Sequence, residues 1–239
     1  MPLMSRKKIT TILLIAYWLL VCALARIPIP GVVYQARVSD KTLHFTAYLI
    51  LTLLFWFSVR PDRKVNWRKA TPWWVFIVIV LYSLLDELSQ SWVGRTCDMV
   101  DFAANLAGSV AGLLTFTFLT FWPALLAVTA AAVFALSNLA RANIAELLPV
   151  TNLLFHFLVY GFVTCVWVKL LSFHSLLKCP QPKWFAAAAT FPIALLALVK
   201  TTSTILGRYW HTLDIAVALA AIALVITANY LASLYRKSP

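Results

Sequence analysis

The chain has 239 residues, of which 62% are hydrophobic and only 12% charged, with a mean hydropathy of +0.87 and a net charge of +12. A soluble domain carries about twice that charged fraction, so the composition excludes one and describes a polytopic membrane protein. The lysines and arginines flank apolar runs instead of forming a stripe, which argues against a nucleic-acid-binding surface.

Arg6, Lys7 and Lys8 precede the first apolar run. Ala23 and Ala25 followed by Arg26 make a poor cleavage site, so this run reads as a first transmembrane helix and not a signal peptide. The apolar runs that follow are continuous, without the alternation of a β-barrel, and predict an all-α bundle. Eight spans are expected: Ile9–Leu24, Leu43–Val59, Trp73–Leu88, Asp101–Phe121, Ala124–Leu139, Leu153–Phe173, Phe185–Val199 and Leu213–Leu234. Several are short for a bilayer crossing, so tilting or burial among neighbours is expected. No hydrophilic stretch is long enough for a domain outside the membrane. Cys22, Cys97, Cys165 and Cys179 are scattered without a CxxC pair, which argues against a disulfide framework or a zinc knuckle.

Orientation follows from the positive-inside bias. Placing the N-terminus in the cytoplasm puts most of the 20 basic residues inside, including Lys7, Arg60, Arg63, Lys64, Arg68, Lys69, Lys169 and Lys183. Both termini are then expected in the cytoplasm. The acids sort the other way: Asp40, Asp86, Glu87, Asp98, Asp101, Glu146 and Asp214 fall outside, and Asp62 inside. Insertion does not require that sorting, since acids contribute little to topology. It predicts a polar site near the outer leaflet.

Two stretches of the chain resemble one another. TLHFTAYLILTLLFW, from Thr42 to Trp56, resembles LFHFLVYGFVTCVWV, from Leu154 to Val168, with His44, Phe45 and Tyr48 matching His156, Phe157 and Tyr160. Further on, GRTCDMVD from Gly94 to Asp101 matches GRYWHTLD from Gly207 to Asp214. Leu24-Ala25-Arg26 likewise matches Leu139-Ala140-Arg141. These matches predict two parallel four-helix repeats, residues 1–121 and 122–239, in the same orientation because four spans separate equivalent points. The repeats differ in chemistry. Asp40 and Lys41 become Asn152 and Leu153; Asp86, Glu87 and Gln90 become Val199, Lys200 and Ser203; Asp98 becomes His211.

The ordered pieces DKTLHFTAY, LLDELSQ and GRTCDMVDFAANLAG resemble the VanZ-like family of bacterial membrane proteins, typified by a protein associated with low-level teicoplanin resistance. The matching residues are Asp40, Lys41, His44, Tyr48, Asp86, Glu87, Gln90, Gly94, Arg95, Asp101, Asn105 and Gly108. The resemblance is close over residues 40 to 115 and implies a cell-envelope role.

Half of the eight acids lie in DELSQSWVGRTCDMVD, Asp86–Asp101, between two apolar spans. Ionisable residues at a membrane edge face a bundle interior or an aqueous cavity. Helical spacing places Asp40, His44 and Tyr48 on one face, Asp86 with Gln90 on another, and Asp98, Asp101 and Asn105 on a third. Arg95, Arg208, His211 and Asp214 complete the set of candidate ligand-binding residues. Three readings stand. In the first, the site binds or transports a lipid-linked envelope precursor or a glycopeptide-type ligand, with Arg95 and Arg208 gripping phosphate or carboxylate. In the second, His44, Asp86, Glu87 and Asp101 perform acid–base chemistry on a lipid phosphate or glycan head group, or His44, Asp86, Glu87 and Asp98 collect a divalent metal. In the third, the charges are a structural network in a non-catalytic scaffold. Lys41 and Arg26 read as interfacial anchors, and His156 and Tyr160 as packing residues. No nucleophile motif occurs, and the sequence names no cofactor.

Overall fold

A computed structural model describes residues 3–26, 40–90, 98–138, 149–174, 181–208 and 210–235. These residues form eight helices: α1 (Leu3–Arg26), α2 (Asp40–Val59), α3 (Ala70–Gln90), α4 (Met99–Phe118), α5 (Phe121–Asn138), α6 (Pro149–His174), α7 (Pro182–Ile205) and α8 (Thr212–Tyr235). Each is long and apolar enough to cross a membrane, so this is an all-α, multi-pass membrane protein. Leucines, isoleucines and phenylalanines such as Leu19, Leu85, Phe118 and Leu224 stand exposed on the helix surfaces, where lipid replaces water as the solvent.

The helices begin and end beyond the apolar runs that predict them. α2 starts at Asp40, α3 ends at Gln90 and α7 continues past Lys200 to Ile205. Hydropathy marks where lipid begins, whereas a helix continues while its backbone bonds are satisfied. α4 instead stops early at Phe118, where the Leu119 N–H closes the last turn on the Thr115 carbonyl. α5 opens immediately afterwards, with Pro123 in its first turn, where the missing N–H costs nothing.

The chain divides into two compact units, Met1–Val128 and Thr129–Pro239, with the boundary inside α5. In the first unit α2 is central and packs against α1, α3 and α4. Its core is Tyr48, Leu53, Trp56, Phe57, Leu113 and Phe116. α2 and α4 approach closely because α4 presents glycines: a Cβ on Gly108 would collide with the Phe45 carbonyl oxygen, and one on Gly112 would press Thr52 at 3.1 Å. The basic end of this unit is tied by Asp62, which sits at φ 60, a left-handed conformation that aspartate tolerates better than most residues. Its carboxylate accepts from Arg6 Nη1 at 2.9 Å and from the Phe121 N–H at 3.4 Å. Trp56 Nε1 donates to the Arg63 carbonyl at 2.7 Å and closes the same turn.

In the second unit α6, α7 and α8 pack together, with Tyr160, Val163, Thr164, Ala218, Ala221 and Ile222 buried. Pro192 interrupts the hydrogen-bond ladder of α7. Close by, Trp167 stacks on Phe191 and donates to the Ala187 carbonyl at 2.8 Å.

Candidate functional site

The N-termini of α2 and α4 and the C-terminus of α3 bring the first unit's polar residues together. Asp40 opens α2, and His44 follows one turn later on the same face, Nε2 to Asp40 Oδ1 at 3.6 Å. Asp98 is the N-cap of α4 and accepts from the Val100 N–H at 2.8 Å. That bond, and then Lys41, hold the Asp98 carboxyl below the ordinary aspartate range. Asp101, in the first turn of α4, turns its carboxylate toward Lys41 and His44 of α2.

Two layers result. The outer one is ionic: Lys41 Nζ lies 3.2 Å from Asp98 Oδ2 and 3.2 Å from Asp101 Oδ1. The inner one is a buried hydrogen-bond chain centred on Asn105, which has no exposed surface. Its Nδ2 donates to Ser83 Oγ at 3.0 Å and to Glu87 Oε1 at 3.2 Å, which leaves Oδ1 facing His44 Nδ1 at 2.9 Å. The amide orientation makes His44 Nδ1–H the donor to Asn105 and leaves Nε2 as the ring nitrogen that faces the acids. Nε2 lies 3.6 Å from Asp40 Oδ1 and 3.9 Å from Asp101 Oδ2. Glu87 is 1% exposed and its Oε2 has no hydrogen-bond partner among the described residues.

Asp86 and Glu87 are both buried but serve different helices, being about 100° apart around α3. Asp86 Oδ1 lies 3.9 Å from Arg26 Nη1, while Arg26 also donates to Ser89 Oγ at 3.0 Å and to the Cys22 carbonyl at 2.8 Å. Arg26 and Lys41, read as interfacial anchors, therefore also hold the acids of α3 and α4. Tyr48 lies deeper, 1% exposed and stacked on Tyr82, whose Oη is 3.1 Å from Cys22 Sγ. Gln90 is buried at the end of α3. Arg95, with Gly94 and Cys97, lies outside the described residues, as do Arg141 and Glu146.

In the second unit, Asp214 occupies the first turn of α8, and its Oδ2 accepts from the His211 N–H at 3.3 Å. Asn152 Nδ2 donates to Asp214 Oδ1 at 2.7 Å. His156 Nδ1 lies 2.9 Å from the Asn152 carbonyl, which only accepts, so Nδ1–H donates there and Nε2 is left to accept from a lysine. Lys200 Nζ lies 3.3 Å from that Nε2 and 3.3 Å from Asp214 Oδ2. Arg208 is half-buried, and its backbone N–H donates to the Ser203 carbonyl at 2.9 Å.

Sequence reading gave no role to Ser83, Ser89 or Asn152, and paired Lys200 only with the glutamate it replaces. Two signals were available. Ser83 precedes Glu87 by one helical turn, and Lys200 is an ionisable residue within an apolar helix.

Residues 21–121 match the family model described as VanZ/LLP1. That stretch contains α2, α3 and α4 and every residue of the two layers just described. It is a VanZ-like unit. The chain is also similar to an uncharacterised protein of the fission yeast Schizosaccharomyces pombe, 35% identical over 78 residues, or 32% of this chain and 46% of the yeast protein. The chain thus spans less than half the length of that relative. No solved structure matches.

Proposed function

We propose that the VanZ-like unit is a binding module of the cell envelope that receives the polar head of a membrane-embedded amphiphile, of the lipid-linked precursor or glycopeptide type. The observation that carries this reading is the layered polar site at one end of α2, α3 and α4, with a buried His44–Asn105–Glu87 chain beneath Lys41 and Asp98. Such a network, at the edge of a span, provides donors and acceptors for a head group while the apolar helix faces meet its tail. Acids exceed bases within it, which favours amines and hydroxyls on the ligand over a bare anion. The association of the VanZ-like family with teicoplanin tolerance fits a glycopeptide or its target as that ligand. The positive-inside bias puts the site at the outer leaflet, with both termini cytoplasmic. Two four-helix repeats, the second without most of the acids, remain our reading of the whole chain.

The test is binding of undecaprenyl-linked precursors and of glycopeptides to the purified protein in nanodiscs, beside drug tolerance in cells. Wild type is compared with Glu87→Gln, Asp98→Asn and Arg95→Ala at equal expression. Binding and tolerance should fall in the variants. Unchanged values in all three would remove this site from the function.

A further inference from the structure

We infer that the VanZ-like unit holds a divalent metal ion, of the zinc or manganese kind, on His44 Nε2 and the carboxylates of Asp40 and Asp101. The three ligand atoms lie within 4.8 Å of one another, with Nε2 at 3.6 Å from Asp40 Oδ1 and 3.9 Å from Asp101 Oδ2. Tetrahedral zinc, with bonds of about 2.0–2.2 Å, sets its ligands about 3.4 Å apart, so the two distances to Nε2 close by about half an ångström or less and the carboxylate pair by up to about 1.4 Å of side-chain movement. The donor set, one imidazole and two carboxylates, suits zinc or manganese and is poor for copper(I). Asp40 is partly exposed, which provides an entry path and a position for water or ligand.

The surroundings are those of a metal histidine. Asn105 takes the Nδ1–H and leaves Nε2 as the ring nitrogen that faces the two carboxylates, where an incoming metal ion displaces any proton and bonds all three. Asn105 Oδ1 takes the place of the outer acceptor behind a ligating histidine, and Glu87 Oε1, 3.7 Å from Nδ1, holds the Asn105 amide from the other side. The other Glu87 oxygen is buried without a hydrogen-bond partner among the described residues. Lys41 uses Asp101 Oδ1 and leaves Oδ2 for the ion.

A second, independent observation comes from the other unit. There the histidine Nε2 and the aspartate at the start of the last helix do hold a cation, the Lys200 ammonium, at 3.3 Å from each. On the repeat reading Lys200 stands where Glu87 stands in the first unit, and Asp214 where Asp101 stands. In the second unit an ammonium of the chain faces the histidine Nε2; in the first, Lys41 occupies Asp98 and Asp101 Oδ1, an acid stands at the lysine's position with one more at Asp40, and the cation at Nε2 comes from solution.

The experiment uses the full chain in detergent, stripped with chelator, and no amphiphile, so that its outcome is separate from head-group binding. Zinc and manganese are titrated against a chromophoric chelator, stoichiometry is read by elemental analysis, and the ligand set by X-ray absorption. Wild type should bind one ion with nitrogen and oxygen ligands and no sulfur. Affinity should fall about tenfold in Asp40→Asn and about a hundredfold in His44→Ala. Glu87→Lys, which supplies an ammonium on the chain, should abolish binding, and His156→Ala should bind as wild type does. Failure of the stripped protein to take up either metal would overturn the proposal. So would equal affinity in Asp40→Asn and His44→Ala, or a loss in His156→Ala instead.

Discussion

Asn105 carries more of the site than its uncharged side chain suggests. It satisfies Ser83 and Glu87 as donor and His44 as acceptor, each from a different direction and out of reach of solvent. Asn105→Ala leaves those groups buried without partners and should lower stability by about 3 kcal/mol, at the upper end of the cost of an unsatisfied buried group. Chemical unfolding of the purified protein measures it, and a loss under about 1 kcal/mol would show that the chain rearranges around the gap. Asp98 is the exposed counterpart, and its effect is pH-dependent. Its carboxyl is held below the ordinary aspartate value by the Val100 N–H and then by Lys41, so the charged form favours the folded state. That contribution is complete above the unfolded pKa, about 3.9, and disappears as pH falls through the lower folded value. Asp98→Ala should therefore unfold at lower temperature than wild type at pH 7, and the gap should close as pH drops below about 4. A gap independent of pH would mean that the carboxylate charge does not stabilise the cap.

The meeting of α2 and α4 decides whether His44 can reach Asn105 at all, and Gly108 sets that distance. Its missing Cβ lets the Phe45 backbone lie against α4, one residue from His44. Gly108→Ala should cost about 2–3 kcal/mol, because the obstacle is backbone that cannot rotate away. Gly112→Ala meets only the Thr52 side chain, at 3.1 Å, and should cost less. Equal costs, or the reverse order, would mean that the helices part easily. At the opposite end Asp62→Ala removes the Arg6 ion pair and the Phe121 bond together, and a loss of about 1–2 kcal/mol is expected in the same assay. The apolar runs made all eight helices legible in the sequence, and the one-turn spacing made Asp40 and His44 legible as neighbours. The partners across helices were not legible. Asp86 and Glu87 look like one pair in the chain, yet the turn of α3 sends the first toward Arg26 on α1 and the second toward Asn105 on α4. Tyr48 shares the face of Asp40 and His44, but a second turn of helix takes it below the site into the aromatic core. Spacing along a helix gives a direction; depth and partner come from the neighbouring helix, whose distance rests on glycines that hydropathy does not weigh.

At the scale of the whole chain, orientation is what separates an envelope-facing site from a cytoplasmic one. The first unit has Arg6, Arg60, Arg63, Lys64, Arg68 and Lys69 at one end and the acids Asp40, Asp98 and Asp101 at the other. The positive-inside bias assigns the first end to the cytoplasm. Single cysteines in a background with Cys22, Cys97, Cys165 and Cys179 replaced test this with a membrane-impermeant thiol reagent. Met99 and Lys64 are exposed positions at the two ends of the first unit, and Leu213 and Lys183 are exposed positions in the second. Cysteines at 99 and 213 should react in intact cells, and those at 64 and 183 only after permeabilisation. Reaction at 64 but not 99 would invert the first unit and place its acid-rich site in the cytoplasm, out of reach of an external glycopeptide. Reaction at 99 and 183 together would break the parallel repeat, because an even number of spans between equivalent points requires equivalent ends to share a side. The equivalence of Lys200 and Glu87 would fall with it. The metal site on His44 would then rest on the first unit's geometry alone.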